Sequence, residues 1–208
     1  SYDAEHQLLT YNNNVLSYDA NGNLISKSGP DGTTTYIWDA RNRLKSMSGP
    51  GVSASFIYDA LGRRASKTVN GVTTTYTYDG NDVIREVTAG VTTNYLRTLS
   101  VDEVLSKFTG ATTNHFLKDG LGSTIATLDD KGNQIAAINY DAYGNTPSNE
   151  TIGYTGREND GTGLMYYRAR YYSPEMRRFI SRDPIGFAAG QTNFYSYVGG
   201  NPVNYTDP

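Results

Sequence analysis

Residues able to do chemistry are few in this sequence and far apart. There is no cysteine, which excludes a disulfide framework and any thiolate metal site. The only histidines, His6 and His115, are widely separated, so a histidine-rich metal site is not expected, and His115 reads as a packed strand residue. Asp129-Asp130 and Asp141 offer carboxylates to calcium, but no loop follows the EF-hand spacing. Tyr166-Tyr167-Arg168-Ala169-Arg170-Tyr171-Tyr172 interleaves arginine with tyrosine, as grooves for nucleic acid do. Strand alternation would set Tyr166, Arg168, Arg170 and Tyr172 on one face and Tyr167, Ala169 and Tyr171 on the other. Guanidinium stacking on tyrosine inside a protein explains the same pattern. A net charge of -3 speaks against nucleic acid as a partner. Finally, Asp183-Pro184 and Asp207-Pro208 each set a carboxylate ahead of a proline, a pairing that on local grounds starts a turn. None of these residues calls for a cofactor.

The elements that must position them are set by a repeat. Tyr18-Asp19, Trp38-Asp39, Tyr58-Asp59 and Tyr78-Asp79 recur every 20 residues, and Tyr2-Asp3 and Tyr140-Asp141 echo them. Self-similarity at such an interval marks a stacked-repeat architecture. Asn21-Gly22 supplies the positive-φ positions of a tight hairpin, and Asn42 replaces the glycine in the next repeat. Between turns lie β-branched and aromatic runs such as Gly32–Trp38 and Val52–Tyr58, bordered by Gly-Pro pairs, as strands require. The expected fold is all-β: a long ribbon of short antiparallel strands. Within each repeat the aspartate is expected to bond turn backbone groups and the tyrosine to stack on the tyrosine of the next repeat. Carbohydrate or metal binding by these pairs is the rival reading; a repeated structural corner is the preferred one.

Composition agrees. The 208 residues include 18 Tyr and 22 Gly, with 37% hydrophobic residues and a mean hydropathy of -0.55. That is thin for an aliphatic core but suits pleated surfaces. No apolar run is long enough to cross a membrane, and no basic-then-apolar leader opens the chain. Ser1 precedes a repeat motif by one residue and the last motif is an Asp-Pro pair, so both ends are expected to lie within something longer, with any export signal elsewhere.

The interval fades after Tyr78, although residues 80–115 still read as strands. From His115 the text changes: Asp119-Gly120-Leu121-Gly122-Ser123, Tyr140-Asp141-Ala142-Tyr143-Gly144, Thr155-Gly156-Arg157, then Gly163–Tyr172, Arg178–Gly186, Asn193–Tyr197 and Asn201–Pro208. No helix of ordinary length stands out, only short turns near 175–179 or 190–198.

This ordered series resembles the Rhs repeat-associated core domain, and the repeats before it resemble YD-repeat proteins, the group that includes Rhs proteins, teneurins and insecticidal toxin complexes. The resemblance divides the chain into residues 1–114, a YD-repeat sheet, and 115–208, the core domain. It implies a spiralling β-sheet wound into a hollow shell, closed at one end by the core domain acting as a plug. It also implies a C-terminal toxin held inside and released when the core domain cuts the junction in the manner of an aspartyl protease. The two Asp-Pro motifs then make Asp183 and Asp207 the catalytic pair, with Arg182 orienting them or holding an oxyanion. Two carboxylates at close range cannot both ionise, so one keeps a proton and the other accepts one. Gly186, Gly190 and Gly199-Gly200 would let the chain turn back to bring them together. Family members continue Asp-Pro-x-Gly-Leu and are cut after the leucine, so the bond concerned would follow Pro208. Implied partners are the rest of the shell, the toxin and a secretion apparatus, with a secreted or cell-surface location. The alternative is a non-catalytic surface or filament-forming module that self-associates through open sheet edges.

Overall fold

The repeats form a single ladder. In the computed structural model, which describes residues 1–207, fourteen antiparallel strands pair strictly in chain order. They are β1 (Thr10–Tyr11), β2 (Asn14–Tyr18), β3 (Leu24–Gly29), β4 (Gly32–Trp38), β5 (Leu44–Gly49), β6 (Val52–Tyr58), β7 (Arg64–Val69), β8 (Val72–Asp79), β9 (Asp82–Thr88), β10 (Val91–Arg97), β11 (Val104–Thr109), β12 (Thr112–Lys118), β13 (Thr124–Leu128) and β14 (Gln134–Ala137). A second sheet of four strands follows: β15 (Glu158–Asn159), β16 (Met165–Tyr167), β17 (Arg170–Ser173) and β18 (Arg178–Phe179). Among the described residues only single 3₁₀ turns interrupt the β structure, at Tyr154–Gly156, Gly186–Ala189 and Val198–Gly200. No helix of the described residues is long and apolar enough to cross a membrane.

The aspartates of the repeats do what their position suggests, except Asp79, which pairs with Asp82 where β8 turns into β9. Asp19 Oδ1 accepts the N–H groups of Asn21 at 3.0 Å and Asn23 at 2.8 Å. Asp39, Asp59, Asp119, Asp129 and Asp141 repeat the arrangement. Gly22 sits at φ 83° and Asn42 at φ 57°, the left-handed positions that the turn demands. The carboxylates of Asp129 and Asp141 are therefore committed to turns.

The aromatic partner behaves differently from the expected ring stack. Its polar tip donates back across the sheet, from Trp38 Nε1 to the Leu24 carbonyl at 2.7 Å, from Tyr58 Oη to that of Leu44 at 2.8 Å and from Tyr78 Oη to that of Arg64 at 2.8 Å. The rings are covered instead by arginines from the preceding turn, Arg43 over Tyr58 at 4.6 Å and Arg63 over Tyr78 at 4.8 Å. A cation serves each face better than a second tyrosine because the next ring lies a whole hairpin away. Where the interval fades, Arg97 takes the aromatic position and donates from Nε to the Val83 carbonyl at 2.7 Å.

The residue after each turn points into the core: Leu24 and Leu44, then Val83 and Val104, all buried. Each such side chain contributes about 1.5–3 kcal/mol of burial. The second layer covers this face, with Leu164, Tyr166, Tyr171, Met176 and Ile180 packed among Leu16, Leu24, Tyr36, Leu44 and Phe56. The third repeat breaks the pattern: Arg64 stands where leucine would, fully buried and ion-paired with Asp160 and Glu158 of the second layer.

Two sequence expectations change here. Position 114/115 falls inside β12, and the ladder continues to Ala137, because Asp119-Gly120-Leu121-Gly122 and Asp129-Asp130-Lys131-Gly132 are turns of the same kind. The Tyr166–Tyr172 segment is not one strand but a hairpin turning at Arg168-Ala169, with Arg168 at φ 55°. Tyr166 pairs with Tyr171 on one face and Tyr167 with Arg170 on the other, so the stripe of alternating arginine and tyrosine does not form.

Candidate active site

The site is built from the second layer and the loop that follows it. The hairpin at Arg168-Ala169 starts β17 with Arg170, whose guanidinium lies 3.6 Å from the centre of the Phe179 ring on β18. Stacking fixes the plane of the guanidinium and turns its edge toward a cleft of about 680 Å³. Its two terminal nitrogens reach the two aspartates, one to Asp183 Oδ2 at 2.9 Å and the other to Asp207 Oδ2 at 3.2 Å. Residues far apart in sequence thus meet on one cation. The connecting loop returns through the 3₁₀ turn Gly186–Ala189, which opens on left-handed Gly186 (φ 56°) and closes on left-handed Gly190 (φ 72°).

Asp183 does two things. Its Oδ1 accepts the N–H of Ile185 at 3.1 Å and its carbonyl accepts that of Gly186 at 3.1 Å, so the turn expected of an Asp-Pro pair is present. Its other carboxylate oxygen is left for Arg170. Asp207 is half-buried. Burial raises its carboxyl above the usual carboxylate range; Arg170 and Arg157 pull the other way, and neighbouring Asp183 adds to the rise. Pro208, the second half of that motif, lies outside the described residues. The expectation that proximity alone would leave one proton between two carboxylates is modified by the cation: Arg170 offsets their repulsion directly. Ile185, Phe194, Val198 and Tyr205 give the cleft an apolar wall.

Arg182 is placed elsewhere. It ion-pairs with Glu5 of the first repeat and lies against Gly22, whose carbonyl accepts Tyr195 Oη at 2.7 Å. Adjacency in sequence suggested Arg182 as the aspartates' companion, but neighbouring residues of an extended chain point opposite ways. Arg170 occupies that place. The sequence signal for it was present, an arginine between tyrosines, but only the hairpin shows where it points.

Arg157 and Asp102 were not anticipated at all. Arg157, 3% exposed, donates to the Asp207 carbonyl at 2.6 Å and pairs with Asp102 Oδ2 at 2.9 Å. Elsewhere, His115 joins Ser106 Oγ at 2.8 Å and Asp130 Oδ1 at 3.2 Å. That chain has the residue types of a hydrolase triad, but Ser106 is 3% exposed and closed to any substrate, so it is a cross-strand link.

A family model described as RHS Repeat matches residues 18–54. Toxin subunit YenC1 of Yersinia entomophaga is 37% identical over 98 residues, covering 42% of this chain and 10% of its own length. The tRNA nuclease WapA of Bacillus subtilis is 37% identical over 99 residues, covering 42% of this chain and 4% of its own. The crystal structure of TcdB2-TccC3 matches 94% of this chain and 13% of its own with a TM-score of 0.65 at 21% identity, a likeness of fold. The chain therefore spans a tenth or less of the length of these two curated relatives. Repeats, ladder and relatives agree: this chain carries RHS repeats, is similar to RHS-type toxin proteins, and has the fold seen in TcdB2-TccC3.

Proposed function

We propose that this chain caps one end of an RHS-type shell and that Asp183 and Asp207 cut the polypeptide beyond it, releasing a C-terminal toxin. The observation that carries the reading is Arg170, which draws both carboxylates to one cleft. In the proposed reaction Asp183 takes a proton from the attacking water, and Asp207, whose burial favours its protonated form, delivers one to the leaving amide nitrogen. The guanidinium between them orients both groups and faces the developing oxyanion. The substrate is the chain's own continuation, so no turnover of external molecules is expected. The names of the relatives, a toxin subunit and a tRNA nuclease, fit a common shell with exchangeable cargo, a shell that acts outside the cell that makes it.

The test is the intact mass of the gene's full-length product, wild type beside Asp183→Asn, Asp207→Asn and Arg170→Ala. Cutting shortly after position 208 in the wild type, lost in all three variants, is the expected result. Equal cutting in wild type and Asp183→Asn would defeat the proposal.

One observation favours a second, non-catalytic reading. Strand β14 ends the ladder, pairs among the described residues with β13 alone and exposes all four of its residues. An open edge of this kind recruits further strands. Under this reading the chain assembles with other copies or other shell parts as a scaffold, and sedimentation would show concentration-dependent growth into a uniform polymer. A strictly monomeric protein would exclude the filament form.

A further inference from the structure

The second aspartate is held from behind by groups that no part of the proposed cutting reaction uses. Arg157 follows the 3₁₀ turn Tyr154–Gly156, is buried, and stacks on the Tyr167 ring at 4.7 Å. One of its terminal nitrogens donates to the backbone carbonyl of Asp207 and forms an ion pair with Asp102 Oδ2. Asp102 belongs to the other layer: it lies in the loop between β10 and β11 of the large sheet, at φ 61°. Its second oxygen accepts from Arg168 at 2.8 Å, and its carbonyl accepts from Lys118 at 3.0 Å. Both arginines come from the second layer, whereas the bond from Lys118 of β12 holds Asp102 to its own sheet.

We infer that Arg157 is the positioning residue for Asp207 and that Asp102 makes its hold conditional on the cap being seated on the repeat sheet. The inference rests on the cutting reading and deepens it. Bonding the carbonyl of Asp207 fixes the peptide group through which the chain continues, and so fixes the path of the segment to be cut. It also fixes the distance from the Asp207 carboxyl to Arg170. Lifting the cap from the sheet removes Asp102 from Arg157, and the buried cation then loses the carboxylate it is paired with. Asp207 is released with it. The site thereby senses assembly: a cap not docked on its shell holds a single well-placed aspartate and does not cut.

The charged groups facing the Asp207 carboxyl are Arg170 from β17, Arg157 from the second layer and Asp183 from the returning loop. Removing the Arg157 charge takes away one of two cations that favour the ionised form. The cutting reaction needs its proton donor protonated, so its rate falls as pH rises through the donor's pKa. Loss of a favourable cation raises that pKa and moves the falling limb to higher pH.

The experiment follows cutting of the gene's full-length product by intact mass against time, from pH 4 to pH 9, in Arg157→Gln, Arg157→Lys and Asp102→Asn. Arg157→Gln is expected to cut about 10- to 100-fold more slowly, with its limb moved up by about one pH unit. Arg157→Lys is expected to be slowed with its limb unmoved, because the charge remains. Asp102→Asn keeps an acceptor oxygen but halves the hold, and is expected to cut several-fold more slowly. Wild-type rate and pH profile in Arg157→Gln overturn the inference. If that variant does not fold, Asp102→Asn decides, and a wild-type rate there overturns it equally. Asp183→Asn separates the two claims: if it cuts normally the cutting reading itself has failed, whereas if it is blocked while the Arg157 variants cut normally, only the positioning role falls.

Discussion

Restoring leucine at position 64 makes the repeats more regular, yet we expect it to weaken the protein. Arg64 occupies the row of Leu24 and Leu44, and a leucine there would add apolar surface to the core. The structure shows why this fails. Asp160 is fully buried and is held by Arg64 and, at 2.9 Å, by Lys67, while Glu158 takes the other end of the guanidinium. Removing one member of a buried pair leaves an uncompensated charge, at a cost of about 3–5 kcal/mol. Lys67 keeps one oxygen of Asp160, which places Arg64→Leu near the lower end of that range. For a chain of this length a loss of about 3 kcal/mol corresponds to a fall in Tm of about 6–12 °C. Adding Asp160→Asn removes the stranded charge and should recover most of it. Burial works against ionisation of Asp160, but the two cations prevail and hold its carboxyl below the usual range. A carboxyl depressed in the folded state stabilises above its unfolded value, near pH 4, and the contribution is lost as pH falls through the folded value. The gap between wild type and Arg64→Leu should therefore narrow below about pH 4. The assay is denaturant unfolding read from Trp38, the single tryptophan, whose indole N–H is bonded to Leu24 in the ladder. Arg64→Leu as stable as wild type, or a double variant no better than the single, would refute the reasoning.

Three further outcomes follow from the same geometry. Tyr58→Phe removes the bond to the Leu44 carbonyl and should cost about 1–2 kcal/mol by the same unfolding assay. Burial lifts the hydroxyls of Tyr18 and Tyr58 to about 12; a tyrosine raised in this way stabilises below its ordinary value and loses that contribution between about pH 10 and 12, so ultraviolet titration should show alkaline unfolding in that window. Gly22 and Gly62 share the left-handed turn position, but a Cβ on Gly22 would lie 2.5 Å from Arg182 Nε and from Tyr195 Oη whereas one on Gly62 meets nothing. Gly62→Ala should cost about 1–2 kcal/mol and Gly22→Ala distinctly more, and equal losses would show that Arg182 does not tie the C-terminal loop to the first repeat.

What was legible in the sequence was what a single repeat decides by itself. A carboxylate accepting two N–H groups across a four-residue turn is a local device, so spacing alone reveals Asp19, Asp39 and Asp59 in their roles, and the antiparallel order follows from turns too short for any crossover. Illegible features depended on a second layer. In the third repeat Arg63 and Arg64 stand side by side, and nothing local says that Arg63 clamps its own turn while Arg64 is buried against Asp160. In the same way Arg182 stands beside Asp183 but engages Glu5, and Arg170 reaches Asp183 and Asp207 only because a hairpin reverses the chain at Arg168. These cases share a cause. Arginine is long enough for its partner to be chosen by the packing of layers rather than by neighbours in the chain, and a buried guanidinium is costly unless its carboxylates arrive together. An interface built on such groups tolerates few alternative registers. A second layer that must bring Asp160 to Arg64 and Arg157 to Asp102 at the same time can pack in only one way, and that one way also places Asp183 and Asp207 on Arg170.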